Sequence, residues 1–490
     1  MRDGSKGVGG AHSSEDSVDI ITPEERRGSA MKDIFKERRI FKLVKESSPE
    51  KKRKKSEMTD DERVRDFQRK LYRKAKQESD FKFYVLYDKI GHSHFLREAY
   101  RRVKANRGAP GIDGVTFEQV EKEGLEAFLL GLQKELQEKT YKPQPVKRVH
   151  IPKANGGTRP LGIPTIRDRV AQMSCKLVIE PIFEADFDDA SYGFRPKRSA
   201  SDAVSAIKGK LKEGKTEILD ADLSKYFDTI PHDKLLKLIA MRISDTHVIH
   251  LIKLWLKTPV VEDGKMSGGK KNRIGTPQGG VISPLLANIY LNLVDKLVRE
   301  HKVFRGIEIV RYADDFVLMS KEIGEDVLRA LTSLLSRMGL TLNEDKTRRI
   351  NVLEEPFNFL GFTFHYRKSM YAGDEFYLSI RPSKQAFQKL VAGIREELIN
   401  HRNKAEILTV RMLNLKLRGW LNYFTIEEVS YTGLTRRTLS MYLRDKLFRH
   451  QKRKSQRYRY AYCRGTFGRW KSKYGLIDPE SYGLPDTVKA

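Results

Sequence analysis

Arg311-Tyr312-Ala313-Asp314-Asp315-Phe316-Val317-Leu318-Met319 is the stretch on which the reading of this chain turns. Apolar, β-branched and aromatic residues run into it from Ile307 and out of it to Met319, which predicts two short strands meeting at a tight turn that carries both aspartates. Two carboxylates about 4 Å apart repel by about 4 kcal/mol at an effective dielectric near 20, so the pair calls for a cation. A hard divalent ion with oxygen ligands fits. Taken alone, adjacent aspartates in a turn are also ordinary solvated turn formers, so other stretches must decide.

A third carboxylate comes from upstream. Glu217 to Leu223 reads as a strand, and alternation puts Asp220 and Asp222 on one face at its end, where a carboxylate can reach toward a metal. Asp222 is the candidate partner of Asp314 and Asp315; a helix N-cap for the turn that follows is its other reading. Just before this strand, Gly209 to Thr216 matches the phosphate-loop pattern G-x-x-x-x-G-K-S/T. There a helix precedes and a strand follows, the reverse of the order that opens backbone amides onto a helix N-terminus, so nucleotide binding at this match is rejected.

Farther out, Arg148 to Pro164 reads as two strands about an Asn155-Gly156-Gly157 turn, with Lys153 and Arg159 on either side, which from this stretch alone are either a pair of exposed basic residues on a surface hairpin or a grip on one anionic group such as a triphosphate. Helices are expected from Asp60 to Lys104, Phe117 to Glu138, Arg167 to Phe183, Ser201 to Leu211 and Asp233 to Leu256. Ser191-Tyr192-Gly193-Phe194-Arg195-Pro196 reads as a loop. Gly275-Thr276-Pro277-Gln278-Gly279-Gly280 offers a backbone able to approach a ligand closely, and Ser283 as N-cap with Pro284 at the first position starts an apolar helix to about Val298. Beyond the central hairpin, a helix from Glu325 to Met338 stops at Gly339, and Leu340 to Leu342 and Phe359 to Phe364 add short strands. After Pro382 the chain turns to basic amphipathic helix: Leu413, Leu417, Trp420, Leu421 and Phe424 form a core stripe, with Gly419 expected to permit close helix contact. A second basic helix covers about Leu434 to Lys454. The remainder interleaves arginine with Tyr458, Tyr460, Tyr462 and Tyr474, a pattern that can stack on bases.

Composition narrows the partners. With 94 Lys+Arg against 65 Asp+Glu the 490-residue chain carries a formal charge of +29, which points to a polyanion, foremost nucleic acid. No apolar run approaches the ~18 residues of a spanning helix, so a membrane is excluded as the expected partner and a soluble, intracellular protein is expected. Cys175 and Cys463 stand far apart, which leaves no disulfide framework or Cys-paired zinc site, and any metal must be held by oxygen. Residues 1 to about 30 read as a flexible tail, 31–45 as helical, and 51–55 as a basic linker.

Together these stretches resemble the reverse transcriptases encoded by group II introns, over roughly Tyr84 to Arg449. The likeness rests on Asn106 to Gly114, Ile151 to Pro164, Ser191 to Pro196, Asp222 to Asp228, Pro277 to Pro284, Tyr312 to Asp315, Gly339 to Lys346 and Phe359 to Phe364, in the family's order. It implies an α+β right-hand polymerase: an N-terminal extension (1–59), N-terminal helices and fingers (60–215), an antiparallel palm (216–375), a helical thumb and maturase region (376–450) and a basic, DNA-binding C-terminal segment (451–490). Carried over by position, it implies two Mg²⁺ ions on Asp222, Asp314, Asp315 and the Leu223 carbonyl, with Asp222, Asp314 and Asp315 catalytic. It further implies that Lys153, Arg159, Gln278 and Lys346 hold the incoming nucleotide and that Phe227 screens against a ribose 2′-hydroxyl. The implied function is RNA-directed DNA synthesis on intron RNA, with a DNA target or primer and dNTPs as partners, help in splicing, and residence in a bacterial cytoplasm, on the nucleoid when DNA-bound. The chain departs from many relatives in lacking a Cys- and His-bearing endonuclease segment, so it is not expected to cut the second DNA strand. Alternatives are a domesticated or CRISPR-associated enzyme with the same core, and a non-catalytic RNA-splicing cofactor.

Overall fold

A computed structural model describes residues 58–152, 156–269, 271–277, 279–369, 375–454 and 459–483. The expected helix at 31–45, the basic block at 51–55, Lys153, Gln278 and Tyr458 lie outside the described residues. Contacts divide the chain into Met1–Arg63 and a unit beginning at Val64. Of the first, the described part is the opening of the helix Asp60–Gln77, where Thr59 and Glu62 cap each other's backbone amides.

The strands are β1 (Val146–Pro152), β2 (Thr158–Ile163), β3 (Glu217–Ala221), β4 (Val260–Glu262), β5 (Lys265–Ser267), β6 (Glu308–Tyr312), β7 (Asp315–Ser320), β8 (Arg348–Asn351), β9 (Phe357–Phe359), β10 (Phe362–Lys368) and β11 (Phe376–Pro382). They form three sheets, ordered β2-β1-β4-β5, β6-β7-β3-β8 and β11-β10-β9. The second is antiparallel throughout and organises the rest. Its Leu219, Ala221, Phe316 and Leu318 enter a core shared with the helix Ser283–Glu300. From its other face, Ile218, Val317, Met319 and Ile350 meet the helix Ala200–Lys212 and the phenylalanines of β9 and β10. Burial on both faces is why Phe316 to Met319 reads as an unbroken apolar run rather than an alternating one. A third core joins the helices Lys384–Asn400, Glu406–Phe424, Gly433–Lys454 and Thr466–Tyr474, with Leu413, Leu417, Leu443 and Trp470 fully buried.

Several elements depart from the expected ones, each for a local reason. The region 60–104 breaks into Asp60–Gln77, Tyr87–Ile90 and Ser93–Ala105. The helix expected from Phe117 to Glu138 divides at Gly124, whose φ of 115° no helix tolerates. Asp233 to Leu256 becomes His232–Ala240 and Thr246–Leu256, the second started by the Asp245 carboxylate accepting from the His247 and Val248 amides. Ser283 is the first helical residue rather than the cap, and its hydroxyl donates to the Pro277 carbonyl at 2.9 Å. Leu340 to Leu342 supplies a single bridge, Leu342 to Leu223, instead of a strand. Phe359 to Phe364 is the junction of β9 and β10, folded at Leu360 and Gly361 with φ of 50° and 79°. Gly419 faces open space, so it does not serve a close helix contact. The phosphate-loop match straddles the end of the helix Ala200–Lys212, and its Lys215 is committed to Glu308 at 2.9 Å. Among the described residues no helix is long and apolar enough to cross a membrane.

Candidate active site

The hairpin closes as its sequence predicts. Tyr312 pairs with Asp315, leaving Ala313 and Asp314 as a two-residue turn with Ala313 at φ 61°. That is a conformation glycine accepts freely and alanine accepts at a cost of about 1–2 kcal/mol. Three neighbours hold it. The Arg311 Nη1 donates to the Ala313 carbonyl at 2.9 Å and to Asn288 Oδ1 at 3.0 Å, while its Nε lies 2.8 Å from Asp295 Oδ1. Asn288 Nδ2 donates in turn to the Gly193 carbonyl at 2.8 Å, and Gly193 lies so close beneath the turn that a Cβ there would stand 2.3 Å from the Ala313 nitrogen. Arg311 and Asp295 are both fully buried. Burial alone would weaken the guanidinium's hold on its proton, but the Asp295 carboxylate overrides it and the pKa lies above the ordinary value.

The partner carboxylate arrives on β3, which runs antiparallel to β7 with Ala221 opposite Phe316. One step farther, Asp222 stands beside Asp315. The segment after the helix Glu325–Met338 fixes this end of the strand: the Asn343 amide donates to the Asp222 carbonyl at 2.8 Å, Leu342 bridges Leu223, and Lys346 Nζ reaches Asp222 Oδ2 at 2.9 Å. Leu223 is buried beneath the site. Asp222 does not cap a helix: the short helix Tyr226–Thr229 is entered through Lys225 at φ 47°, without a side-chain cap.

The charges feel one another. Surrounding protein, then the like charges of Asp314 and Asp222, push the Asp315 carboxyl up to about 6 against the pull of Lys346 and Arg159, although the side chain still reaches water along the open side of the cleft. Asp220 is likewise raised to about 6, by burial and then by Asp315 and Asp222, against Arg348, which is its register partner on β8. Among the described residues no three His, Cys, Asp or Glu side chains form a ready-made metal cage. The donor set is therefore an open arc of hard oxygens that repel one another. It fits a Mg²⁺ ion held by one or two carboxylates together with substrate phosphates and water, the usual mode for that ion, better than a closed protein cage.

The remaining expected residues converge on this arc to different degrees. Arg159, exposed on β2, acts electrostatically on the Asp315 carboxyl. Phe227 is half-buried in the short helix, and its carbonyl accepts from the Thr276 amide at 2.7 Å. Gly275 packs on the Asp228 carbonyl, and a Cβ on Gly279 would stand 2.1 Å from the Gly162 carbonyl. Gly275 and Gly279 thus pack on the short helix and on β2, so the close approach the structure shows is to the protein's own backbone, where the sequence reading expected it toward a ligand. The Arg311, Asp295, Asn288 and Gly193 assembly was not anticipated from sequence. Its signal is an arginine inside an apolar strand, and Asn288, Asn292 and Asp295 at helical spacing within an otherwise apolar helix face.

An antiparallel sheet offering carboxylates from two strands, with an arginine of a second sheet acting on them, and followed by a helical bundle, defines the right-hand polymerase class. A family model described as "Reverse transcriptase (RNA-dependent DNA polymerase)" matches residues 151–364. Protein YkfC of Escherichia coli (strain K12) is 35% identical over 70% of this chain and 99% of its own length. The group II intron-encoded protein LtrA of Lactococcus lactis subsp. cremoris is 31% identical over 61% of this chain and 60% of LtrA. A 91 kDa protein in the cob intron of Schizosaccharomyces pombe is 28% identical over 67% of this chain and 49% of that protein. A solved Cas6-RT-Cas1–Cas2 complex contains a chain 22% identical at a TM-score of 0.33, over 51% of this chain and 40% of that one, a likeness too slight to weigh. This chain belongs to the reverse transcriptase family, and a group II intron-encoded protein is among its relatives.

Proposed function

We propose that this protein copies RNA into DNA, with Asp222, Asp314 and Asp315 as its catalytic carboxylates and intron RNA, a DNA primer and dNTPs as its substrates. The observation that carries the reading is the convergence of carboxylates from β3 and from the β6-β7 turn, 92 residues apart in sequence (Asp222 to Asp314), into one mutually repelling arc. Two Mg²⁺ ions bound there would lower the pKa of a primer 3′-hydroxyl and neutralise charge developing on the transferred phosphate. The three carboxylates would hold the metals, with the Leu223 carbonyl as a further oxygen donor. Arg159 and Lys346 supply positive charge on the side where a triphosphate would lie, and Lys153 and Gln278 complete the nucleotide contacts that the family pattern implies. The Phe227 ring, on a residue whose backbone carbonyl accepts from the Thr276 amide, would close the space that a ribose 2′-hydroxyl needs.

Retention of the acidic arc disfavours a purely structural RNA cofactor, because like charges gathered in a basic protein cost energy unless a cation is recruited. The test is extension of a DNA primer on an RNA template with and without Mg²⁺. Asp314→Asn is expected to abolish extension and leave RNA binding largely intact; full activity in that variant would overturn the assignment.

A further inference from the structure

The carbonyl of Gly275 and the amide of Thr276 are the two ends of one planar peptide group, and each end is engaged. The amide donates to the Phe227 carbonyl at 2.7 Å. At the other end, Nε2 of His232 lies 2.7 Å from the Gly275 carbonyl, and since a carbonyl can only accept, that nitrogen donates. His232 is buried at the start of the helix His232–Ala240. Around this contact the Gly275 amide donates to the Ile230 carbonyl at 2.8 Å, the His232 amide to the Arg273 carbonyl at 2.9 Å, and Pro231 bridges Ile274. To these backbone bonds His232 adds a side-chain donor, aimed at the very peptide that holds Phe227. Gly275 has a φ of 85°, and the freedom of glycine leaves that peptide little restrained by its own backbone, so a donor on its carbonyl sets its plane. The Nδ1 of the same ring is buried without a partner. An apolar side chain would fill the space without that loss, so the contribution of the ring is its Nε2 bond. On the opposite side of the short helix Tyr226–Thr229, the Tyr226 hydroxyl donates to the Ala287 carbonyl at 2.7 Å. Phe227 stands between the two anchors.

We propose that His232 is a positioning residue for the Phe227 ring, and through it a determinant of the choice between deoxyribonucleotides and ribonucleotides. The inference rests on the reading of Phe227 as the screen against a ribose 2′-hydroxyl, and it extends that reading to the residue that aims the screen. His232 acts through the protein rather than on the nucleotide: it fixes the peptide between Gly275 and Thr276, whose amide holds the Phe227 carbonyl. Without the donor, the Gly275 carbonyl loses its buried partner, the peptide can turn, and the short helix loosens at the screening residue. Steric exclusion of one hydroxyl is sensitive to such play, because a small retreat of the ring admits it.

The test follows incorporation of a single dNTP and of the matching rNTP by the full chain on a pre-annealed primer and RNA template. The proteins are the wild type, His232→Leu, His232→Ala, His232→Gln, Phe227→Ala, and His232→Leu combined with Phe227→Ala. Both nucleotides are read on one preparation, so any inactive fraction cancels in the ratio of their kcat/KM values. His232→Leu and His232→Ala remove the donor with and without filling its space, so that poor folding of one leaves the other to decide. Each is expected to lower the preference for dNTP by about three- to tenfold, the worth of one net hydrogen bond, through a fall in the KM for rNTP. His232→Gln, whose own Nε2 can donate to the same carbonyl, should restore most of the preference. Adding His232→Leu to Phe227→Ala should lower it no further, since two residues that act through one ring are not additive. Use of dNTP and rNTP falling in step, at an unchanged ratio, overturns the proposal, because a merely structural ring gives that result. A further loss of preference in the double variant also overturns it, by placing the effect of His232 elsewhere than at Phe227. Failure of the wild type to incorporate dNTP, or a wild-type ratio in Phe227→Ala, would instead strike the reading of the site on which the inference stands.

Discussion

Gly193 and Ala313 touch through their backbones, and the contact leaves no room for a side chain. Gly193→Ala would place a methyl 2.3 Å from the Ala313 nitrogen, where backbone rather than a flexible side chain must yield. The turn carrying Asp314 would be displaced, and primer extension is expected to fall by at least about tenfold, since misplacement by ~1 Å can cost about a hundredfold, while the far-UV spectrum stays unchanged. The raised carboxyls give a second expectation. With Asp220 and Asp315 both held near 6, the folded protein binds more protons than the unfolded chain between the ordinary carboxylate value and 6, so these groups reduce stability as pH rises through that window. A divalent cation should offset the repulsion only once the carboxyls are ionised. Mg²⁺ is therefore expected to raise the melting temperature more at about pH 7.5 than at about pH 5, checked by thermal unfolding of the wild type and of Asp315→Asn. At this scale the three aspartates were legible, because strand alternation and a turn signal place them without knowledge of the fold. Arg311 was not: nothing local says whether an arginine in a strand points outward to water or inward to a buried aspartate.

Among the elements, the helix Ser283–Glu300 does most to support the hairpin, through Asn288 and Asp295 on one face. Asp295→Asn leaves a buried arginine without its counter-charge, an expected loss of about 3–5 kcal/mol in urea unfolding. The helix Glu325–Met338 is readable residue by residue: Val327, Leu331, Leu334, Leu335 and Met338 recur at helical spacing and all five are buried, and Gly339 ends it at φ 79°. Such agreement follows from an amphipathic period with a glycine stop. The breaks at Gly124 and before Asp245 escaped notice because each lies within a stretch whose apolar spacing continues across it. β8 and β11 escaped for another reason. Arg348, Arg349 and Arg381 interrupt them, and their membership of a sheet is set by the partner strand, Arg348 opposite Asp220 and Arg381 opposite Thr363, rather than by their own composition.

Over the whole molecule the formal charge of +29 makes association with RNA electrostatic in large part. With roughly 6 to 10 phosphate contacts, affinity is expected to fall by about 10³ to 10⁵ between about 50 and 200 mM salt, and a flat response in filter binding would remove that account. The C-terminal segment is tied to this scale as well, because Phe467, Trp470 and Leu476 share the core of the preceding three helices. The order of strands carries a further consequence, for synthesis of the chain. β3 is flanked in its sheet by β7 and β8, yet the 93 residues 222–314 separate its last residue from the first of β7. At about 5–20 residues per second, a ribosome needs roughly 5–20 s to deliver that partner, during which both edges of β3 await neighbours. Holdase chaperones acting on the nascent chain would have their greatest effect in this interval, before the palm can close.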